Sequence, residues 1–408
     1  MANIAIFSAD FCNGSSVVKE VLDRTNLTLV TDGNIVTKAA KISGMSEAKI
    51  ERVFSPKVSV FNKFTHERER ALANLKLVMA EMLSENNLLM AGYLGHLIPR
   101  TITPVLKVCM VGDIKFRTSV ATSQQGLSED AAQKIISKLD LERAHWVQTL
   151  YDVDSPWSLE LYDIIIPMDK TSVTDAAALI EEYMQKDVLQ PTEASKREIE
   201  DTHLASEVEV ALAREGHDVL VEARDGAVTL TIHKQVIMQS RLEHELRAIA
   251  EKIPGVKSIE TKLGKTYHEA NIYRKYDFEL PSKVLLVDDE QEFVQTLSER
   301  LILRDMGTAV AQDGQSALNM IAEDKPDVLV LDLKMPGIDG IEVLRRVKES
   351  HAEVEVIVLT GHGSEADRVK CLELGAFAYM HKPVDIDMLS KKLKEANEKI
   401  HARHASVT

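Results

Sequence analysis

The chain has 408 residues, which at roughly 100 to 200 residues per domain predicts several domains. Its composition of 45% hydrophobic and 28% charged residues is typical of a globular protein and excludes collagen and bulk disorder. The 64 acidic and 49 basic side chains leave a formal charge of -15. We expect no nucleic-acid partner, because binding a phosphate backbone needs clustered Lys and Arg.

The sequence carries no pattern of export or membrane insertion. No stretch approaches the roughly 18 apolar residues that a membrane span requires. The first residues, MANIAIFSADF, lack the basic start and long apolar core of a signal peptide. The three cysteines are far apart and show no CxxC pairing, which supports neither a disulfide framework nor a zinc site. These features predict a cytoplasmic protein without a membrane span.

Two changes of composition divide the chain into three predicted domains. A polar run extends from Gln190 to His203, and a stretch of mixed charged and aromatic residues extends from Asn271 to Lys283. No repeat of solenoid period is present. We expect domains at residues 1–190, 198–270 and 282–403.

The first predicted strand and helix frame a loop that is typical of phosphate binding. Apolar residues from Asn3 to Phe7 lead into SADFCNGSS and then into a helical pattern, which is the order of a phosphate-binding loop. A working GxxxxGK[ST] loop has several glycines and a lysine, whereas here Gly14 stands alone before Ser15 and Ser16. We treat these three residues as a candidate nucleotide or anion site.

Four further segments of the first domain carry a family resemblance. They are VTDGNIVTKAAKISG from Val30, LLMAGYLGHL from Leu88, the helical stretch from Asp140 to Trp157, and YDIIIPMD from Tyr162. Together with the first loop, these segments resemble the cytidylate-kinase-like family over about 185 residues. The resemblance implies a P-loop-kinase-like α/β domain that binds a nucleotide.

The same resemblance implies which charged residues close over the phosphates. Arg117, Asp140 and Arg143 stand at matching places, whereas Tyr93 stands where the family has a glycine–arginine pair. The lysine of the loop and the arginine of this pair are therefore both missing, and phosphoryl transfer depends on the electrostatic stabilisation that such cations supply. We expect a kinase-derived fold kept as an interaction or ligand-sensing module, with an active nucleotide kinase as the alternative.

The middle of the chain predicts a small α+β domain. A helical segment, two strands around the turn signal Asp225–Gly226, a second helix and a third strand give the order αββαβ. This order, with DGAVTLTI and IPGVKSI, resembles the BON domain. The resemblance implies binding of partners or lipid surfaces and no catalytic residues.

From Lys283 onward, short apolar runs alternate with helical segments. Runs this apolar suit strands buried on both faces of a parallel sheet, and the helical segments carry an apolar stripe such as Phe293, Leu297 and Leu301. The pattern predicts a (βα)5 doubly wound, flavodoxin-like domain. The five runs are VLLV at Val284, TAVA at Thr308, VLVL at Val328, VIVL at Val356 and AYM at Ala378.

The ends of these predicted strands carry charged and hydroxyl side chains. They are Asp288 and Asp289, Asp332, Thr360 and Lys382. Function in doubly wound folds collects at the carboxyl ends of strands. Three adjacent carboxylates repel one another unless a cation such as Mg²⁺ neutralises them. Asp332 can then attack a phosphoryl group while Lys382 and Thr360 receive its oxygens. The alternative is that each acid only ends a strand or caps a helix.

These residues lie within motifs that resemble the response-regulator receiver domain. The motifs are VDDE at 287–290, LDLKMPGIDG at 331–340, LTG at 359–361 and HKP at 381–383. The resemblance implies that Asp332 is the phospho-acceptor and that Asp288, Asp289, Asp332 and the backbone carbonyl of Lys334 hold Mg²⁺. It further implies that Thr360 and Lys382 contact the phosphoryl group and that Tyr379 is a switch residue. The alternative for Tyr379 is ordinary strand packing.

The sequence as a whole predicts a phosphorelay response regulator of a two-component system. Its partner is expected to be a sensor histidine kinase or phosphotransfer protein, and its receiver catalyses its own phosphorylation and dephosphorylation. The kinase-like and BON-like domains are the expected output. One alternative is a nucleotide kinase gated by the receiver. Another is a scaffold in which phosphorylation changes oligomerisation, which leaves a homodimer open.

Overall fold

The computed structural model describes residues 2–57, 59–233, 239–264, 283–304, 306–361 and 363–405. The chain forms two compact units. Unit 1 contains Met1–Lys57 and Glu67–Tyr273, and unit 2 contains Val58–His66 and Arg274–Thr408. The predicted linker at 271–283 lies outside the described residues except for Lys283. The predicted division into three domains stays a prediction.

Strands and helices alternate through most of the chain. The strands are β1 Asn3–Ser8, β2 Thr28–Thr31, β3 Leu88–Ala91, β4 Val105–Val111, β5 Ile164–Pro167, β6 Leu220–Arg224, β7 Ala227–Ile232, β8 Ser258–Leu263, β9 Val284–Val287, β10 Thr308–Ala311, β11 Val328–Leu331, β12 Glu355–Thr360 and β13 Ala378–His381. The helices are α1 Gly14–Arg24, α2 Asp32–Ser43, α3 Glu47–Glu51, α4 Asn62–Thr65, α5 Glu67–Leu83, α6 Ile114–Gln125, α7 Glu129–Tyr151, α8 Val173–Met184, α9 Glu193–Arg214, α10 Gln239–Ala250, α11 Gln291–Ile302, α12 Gly314–Glu323, α13 Gly340–Ser350, α14 Glu365–Glu373 and α15 Ile386–Ala405. Short 3₁₀ helices lie at Arg52–Phe54, Leu94–Leu97, Leu159–Leu161 and Asp187–Leu189.

The first sheet of unit 1 has the order β2-β3-β1-β4-β5 and is parallel throughout. Apolar clusters cover both of its faces, so its strands are apolar on both sides. The predicted strand, loop and helix at the start of the chain are confirmed as β1, the loop 9–13 and α1. The carboxyl end of β1 therefore opens at the same edge as the ends of β3 and β4.

Unit 1 also contains the predicted αββαβ arrangement, formed by α9, β6, β7, α10 and β8. Strands β6 and β7 are antiparallel, and β7 and β8 are parallel. The polar run at 190–203, where a domain end is predicted, contains the start of α9, which begins at Glu193 behind the capping residue Thr192. Ile199 packs on the apolar cluster of the first sheet, while Leu204 belongs to that of the small sheet. The polar residues of the run are the exposed face of a continuous helix.

Unit 2 contains a five-stranded parallel sheet of order β10-β9-β11-β12-β13. The five apolar runs that predicted its strands are confirmed, and the fold class is the predicted flavodoxin-like one. Helices α12, α13 and α14 contribute to the apolar cluster on one face, and α11 and α15 to that on the other. The chain reverses its direction of winding between β9 and β11, and ligands of such folds bind where this reversal occurs.

The predictions about cysteines and membrane helices can be compared with the structure. Cys12, Cys109 and Cys371 are buried and free. Among the helices in the described part of the chain, none is long and apolar enough to cross a membrane.

Candidate functional site

The strand ends of unit 2 bring the predicted receiver residues to one edge of the sheet. Asp288 follows β9 and Asp332 follows β11, and the Asp332 amide donates to the carbonyl of Val287 over 2.9 Å. Thr360 ends β12, and its carbonyl accepts from the Lys382 amide over 3.0 Å. Four strands therefore contribute to one crevice, as the alternation of apolar runs predicted.

Three carboxylates and one lysine meet in this crevice. Asp288, Asp289 and Asp332 each offer an oxygen that lies within 4.8 Å of the others. The Lys382 Nζ lies 2.6 Å from Asp288 Oδ2 and 3.8 Å from Asp332 Oδ2. It also lies 2.9 Å from Oε1 of Glu290. One ammonium group thus faces a larger number of carboxylates, and the site keeps a net negative charge.

Burial sets the electrostatics of the crevice. It raises the pKa of Asp288 above its ordinary value, although the hydrogen bond from Lys382 acts in the opposite direction. Burial alone would lower the pKa of Lys382, but hydrogen bonds to Asp288 and Glu290 leave it raised. Lys382 is therefore a cation at neutral pH.

The donor set fits a magnesium ion. Asp332 Oδ1 is buried and makes no hydrogen bond to any residue that the structure describes. A buried carboxylate oxygen without a partner is costly, and hard oxygen ligands are those that Mg²⁺ prefers. The predicted ligands Asp288, Asp289 and Asp332 are thus brought together, and Lys334 lies exposed just beyond Asp332.

The loop after Asp332 is held by a close backbone approach. A β-carbon on Gly340 would overlap the carbonyl oxygen of Asp332, so only glycine fits there. The Gly340 amide donates to the Leu333 carbonyl over 2.9 Å, and the Asp339 side chain caps α13. These contacts fix the backbone that presents Asp332.

Thr360 and Tyr379 lie close together, as the switch hypothesis requires. Thr360 is fully buried, and Tyr379 pairs with Val358 on the neighbouring strand. A β-carbon on Gly363 would overlap the Tyr379 hydroxyl and lie 2.9 Å from the Thr360 methyl group. The Tyr379 hydroxyl is buried and has no hydrogen-bond partner among the described residues. The switch role itself stays a prediction.

Sequence reasoning missed two residues that contact Lys382. Glu290 was noted only as part of VDDE, yet its carboxylate binds the lysine. The Phe293 ring lies under the same ammonium group, with 4.5 Å from Nζ to the ring centroid. In the sequence, only their position shortly after Asp288 and Asp289 indicates that Glu290 and Phe293 could lie near the site.

The candidate anion site of unit 1 has a compact loop. Gly14 begins α1, and a β-carbon on it would lie 2.5 Å from the Ser8 Oγ, so the loop and strand approach closely. Ser15 and Ser16 are exposed on the first turn of the helix. Burial raises the pKa of the Cys12 thiol in the loop to about 11, so this cysteine is neutral at pH 7.

Two carboxylates of the chain itself neutralise the predicted arginines. Arg117 donates to both oxygens of Asp140 over 2.7 Å and, through Nε, to the Asp10 carbonyl over 2.9 Å. Arg143 forms an ion pair with the Asp10 carboxylate and donates to the Ser8 carbonyl over 3.1 Å. Both guanidinium groups are buried, whereas the Asp140 and Asp10 side chains are 30% and 32% exposed. The predicted cations are present, but each already has an anion.

A cavity of about 620 Å³ opens beside this loop. Many of its lining residues are apolar, and they come from β1, α1, β2 and β4. Arg143, Asp10 and Lys19 are the charged residues of the lining in the described part of the chain. The apolar members include Phe7, Val18, Leu22, Leu29 and Met110.

Comparisons with known proteins identify both ends of the chain. Residues 284–394 match the model of the response regulator receiver domain. The C-terminal part of the chain is a receiver domain. Residues 3–170 match the model of the cytidylate kinase-like family, which agrees with the resemblance seen in the sequence. The BON-like resemblance of the middle segment stays a prediction.

Response regulators and receiver structures are among the proteins that this chain resembles over part of its length. The response regulator MprA of Mycolicibacterium vanbaalenii is 36% identical over 115 residues, which are 28% of this chain and 50% of the relative. MprA of Mycobacterium avium is 37% identical over 112 residues, which are 28% of this chain and 49% of the relative. The crystal structure of a receiver domain protein from Clostridium thermocellum is 31% identical in sequence. The match covers 29% of this chain and 94% of that one, with a TM-score of 0.28. The chain thus spans about half the length of these curated relatives.

The pairing of Arg143 with Asp10 leads to a first prediction. Asp10→Asn keeps the size of the side chain but removes its charge, and should free the guanidinium for an external anion. We expect inorganic pyrophosphate, titrated calorimetrically into the full chain, to bind on the order of tenfold more tightly than to the wild type.

Glu20→Gln is the matched control, because it makes the same change of charge on α1, where Glu20 pairs with Arg24 over 2.8 Å. An equal gain in both variants would mean that overall charge, rather than release of Arg143, controls anion binding.

Proposed function

We propose that this protein is a two-component response regulator that accepts a phosphoryl group on Asp332. The observation that carries the proposal is the meeting of Asp288, Asp289, Asp332 and Lys382 at the point where the winding of a receiver sheet reverses. The donor is proposed to be a sensor histidine kinase or a phosphotransfer protein. The homology of the receiver to response regulators supports this partner class.

The chemistry is an exchange of bonds at phosphorus. A carboxylate oxygen of Asp332 forms a bond to phosphorus as the bond from phosphorus to a histidine nitrogen of the donor breaks. The released imidazole nitrogen takes up a proton from solvent. Lys382 stabilises the negative charge of the phosphoryl oxygens, and Thr360 lies beside the same crevice. Attack by water on the acyl phosphate later returns Asp332 to its carboxylate.

We assign Mg²⁺ to the three carboxylates and to the backbone carbonyl of Lys334. The ion, when bound, would neutralise the carboxylates and the incoming phosphoryl oxygens. The unpartnered Asp332 Oδ1 supports a ligand at this position. Without a divalent cation, Lys382 is the cation that faces the cluster, and its shortest contact is to Asp288.

The proposed response to phosphorylation is a movement of Thr360 and Tyr379. A phosphoryl group on Asp332 offers new acceptors to the Thr360 hydroxyl, and Tyr379 moves into the space that Thr360 vacates. The contact of both residues with the Gly363 backbone supports a direct link between them.

For the kinase-like part we propose an output module that senses a ligand rather than transfers phosphate. The two ion pairs of the buried arginines support this choice, since neither guanidinium is available to a nucleotide without breaking an ion pair. The cavity beside the loop is a candidate binding place for the ligand, which could be a nucleotide. A receiver-gated nucleotide kinase is the second candidate, and the match to the cytidylate kinase-like family favours it. In the same proposal, the BON-like segment binds a partner as part of the output, and the protein can form a homodimer.

The acceptor assignment predicts a metal-dependent labelling reaction. Acetyl phosphate with Mg²⁺ should label the wild type at Asp332 and leave Asp332→Asn unlabelled, as seen by intact-mass and peptide mass spectrometry. Asp339→Asn is the control, because Asp339 caps α13 in the same loop but is not among the clustered carboxylates. Chelation of the metal should abolish labelling, since uncompensated carboxylates repel the anionic donor. Full labelling in chelator would remove the metal from the proposal.

The switch assignment predicts that Thr360→Ala separates phosphorylation from its conformational response. The variant should still be labelled at Asp332, but hydrogen exchange around Met380 should no longer change on labelling, because the hydroxyl is the link to Tyr379. Thr360→Ser keeps the hydroxyl and should retain most of the response. If Thr360→Ala responds like the wild type, the signal leaves by another route.

The output assignment predicts no useful transfer of phosphate from ATP to CMP. Loss of one well-placed donor or cation costs roughly 10² to 10³ in rate, and this loop lacks both a lysine and most of its glycines. A coupled assay of the full chain, with and without phosphorylated Asp332, measures turnover across the nucleoside monophosphates. Repeated turnovers that Arg143→Ala abolishes would establish the gated kinase instead.

A further inference from the structure

A short segment from the first quarter of the sequence is part of unit 2. The chain leaves unit 1 after Lys57, contributes Val58–His66 to unit 2 and returns to unit 1 at Glu67. The segment lies inside residues 3–170, which match the cytidylate kinase-like family. It contains the single-turn helix α4, and α5 begins directly after it. The unit that holds the receiver is thus assembled from two distant stretches of sequence.

Phe61 is the apolar anchor of this segment. It is fully buried, and it belongs to the apolar cluster that includes Ala317 and Ile321 of α12 and Leu329 of β11. Its neighbour Val60 is 48% exposed. The segment therefore presents one face to the receiver core and the other to solvent.

Ser59 is the polar anchor. Its hydroxyl donates to Oδ2 of Asp324, the residue that ends α12, and accepts the Phe61 amide over 3.1 Å. Both oxygens of Asp324 also accept from Nζ of the buried Lys283, over 3.0 and 3.1 Å. The segment is thus joined to a buried ion pair of the receiver, and its turn is fixed by the same hydroxyl.

The cluster around Phe61 reaches the candidate phospho-acceptor. Leu331 and Leu333, the residues on either side of Asp332, belong to it. A close-packed core transmits small displacements, because its side chains cannot shift independently. One continuous apolar network therefore extends from the flanks of Asp332 to Phe61.

We propose that residues 59–66 are a docking segment through which the state of Asp332 reaches α5, the helix that follows the segment. Ser59 and Phe61 fasten the segment to the receiver, and a rearrangement around Asp332 changes its packing and hence the start of α5. The inference that the segment docks depends only on the contacts of Ser59 and Phe61 with the receiver. The signalling role rests on the proposed phosphorylation of Asp332.

The docking is tested by hydrogen exchange of the full chain without any phosphodonor. Phe61→Ala should raise exchange in α12 and β11 on the order of tenfold, because it opens a cavity in their shared core. Ser59→Ala should act in the same direction to a smaller extent, and Val60→Ala should leave both elements unchanged. Should Phe61→Ala unfold the unit, Ser59→Ala carries the same comparison. Exchange in α12 and β11 that neither anchor variant alters would overturn the docking.

The signalling role is tested by adding beryllofluoride and Mg²⁺, which mimic the phosphoryl group. In the wild type and in Val60→Ala, exchange in the first turns of α5 should change when the loop 332–340 becomes protected. In the anchor variants the loop should still be protected while α5 no longer responds. A response of α5 that survives in both anchor variants, or that is absent from the wild type, would overturn this role. Failure of beryllofluoride to protect the loop would count against the proposed acceptor and leave the docking result standing.

Discussion

Repulsion between carboxylates at the ends of adjacent parallel strands is the constraint on which the receiver site depends. The register of β9 and β11 places Asp288 and Asp332 side by side, and burial removes the water that would screen them. Lys382, from the edge strand of the sheet, supplies the opposing charge inside the crevice. The site therefore needs all four strands in their order, because a shift of β13 would leave a buried negative cluster without its lysine.

In unit 1 the buried charges that need a counter-ion are positive rather than negative. Helices α6 and α7 each bring a buried arginine to the loop 9–13, and the protein supplies Asp140 and Asp10 as their counter-ions. A bidentate Arg–carboxylate pair is a strong hydrogen-bonded contact, and a tethered partner competes with any external anion at high effective concentration. Phosphate can bind such a site only by displacing a carboxylate that cannot diffuse away. Asp332 Oδ1 of the receiver has no hydrogen-bond partner among the described residues, whereas the two arginines of the kinase-like part are paired with carboxylates of the same unit.

Much of the receiver could be predicted from the sequence, because strands buried on both faces are continuous apolar runs and their polar ends must meet at one edge. Side-chain pairing was less predictable. The contact of Glu290 with Lys382 depends on a rotamer at the start of α11, and the pairing of Asp10 with Arg143 depends on which face α7 turns toward the loop. The start of α9 inside the run at 190–203 was not predicted, because a long helix with one exposed face has a polar composition like that of a domain boundary. Phe61 gave no signal, since a short stretch of mixed apolar and polar residues does not reveal a partner that is distant in the chain.

The surroundings of Tyr379 determine how little energy a switch of this kind would require. Its hydroxyl is buried and has no hydrogen-bond partner in the part of the chain that the structure describes, and an unsatisfied group costs about 1 to 3 kcal/mol relative to a satisfied one. Glycine at 363 allows the observed position of the ring, because a β-carbon there would overlap the hydroxyl. A two-state element whose alternatives differ by a few kcal/mol can be shifted by a ligand that forms one or two charge-assisted hydrogen bonds in only one state. Under the proposed switch, a phosphoryl group on Asp332 that draws the Thr360 hydroxyl would be a ligand of that strength, and the buried Tyr379 hydroxyl would gain a chance to form the hydrogen bond that it lacks among the described residues.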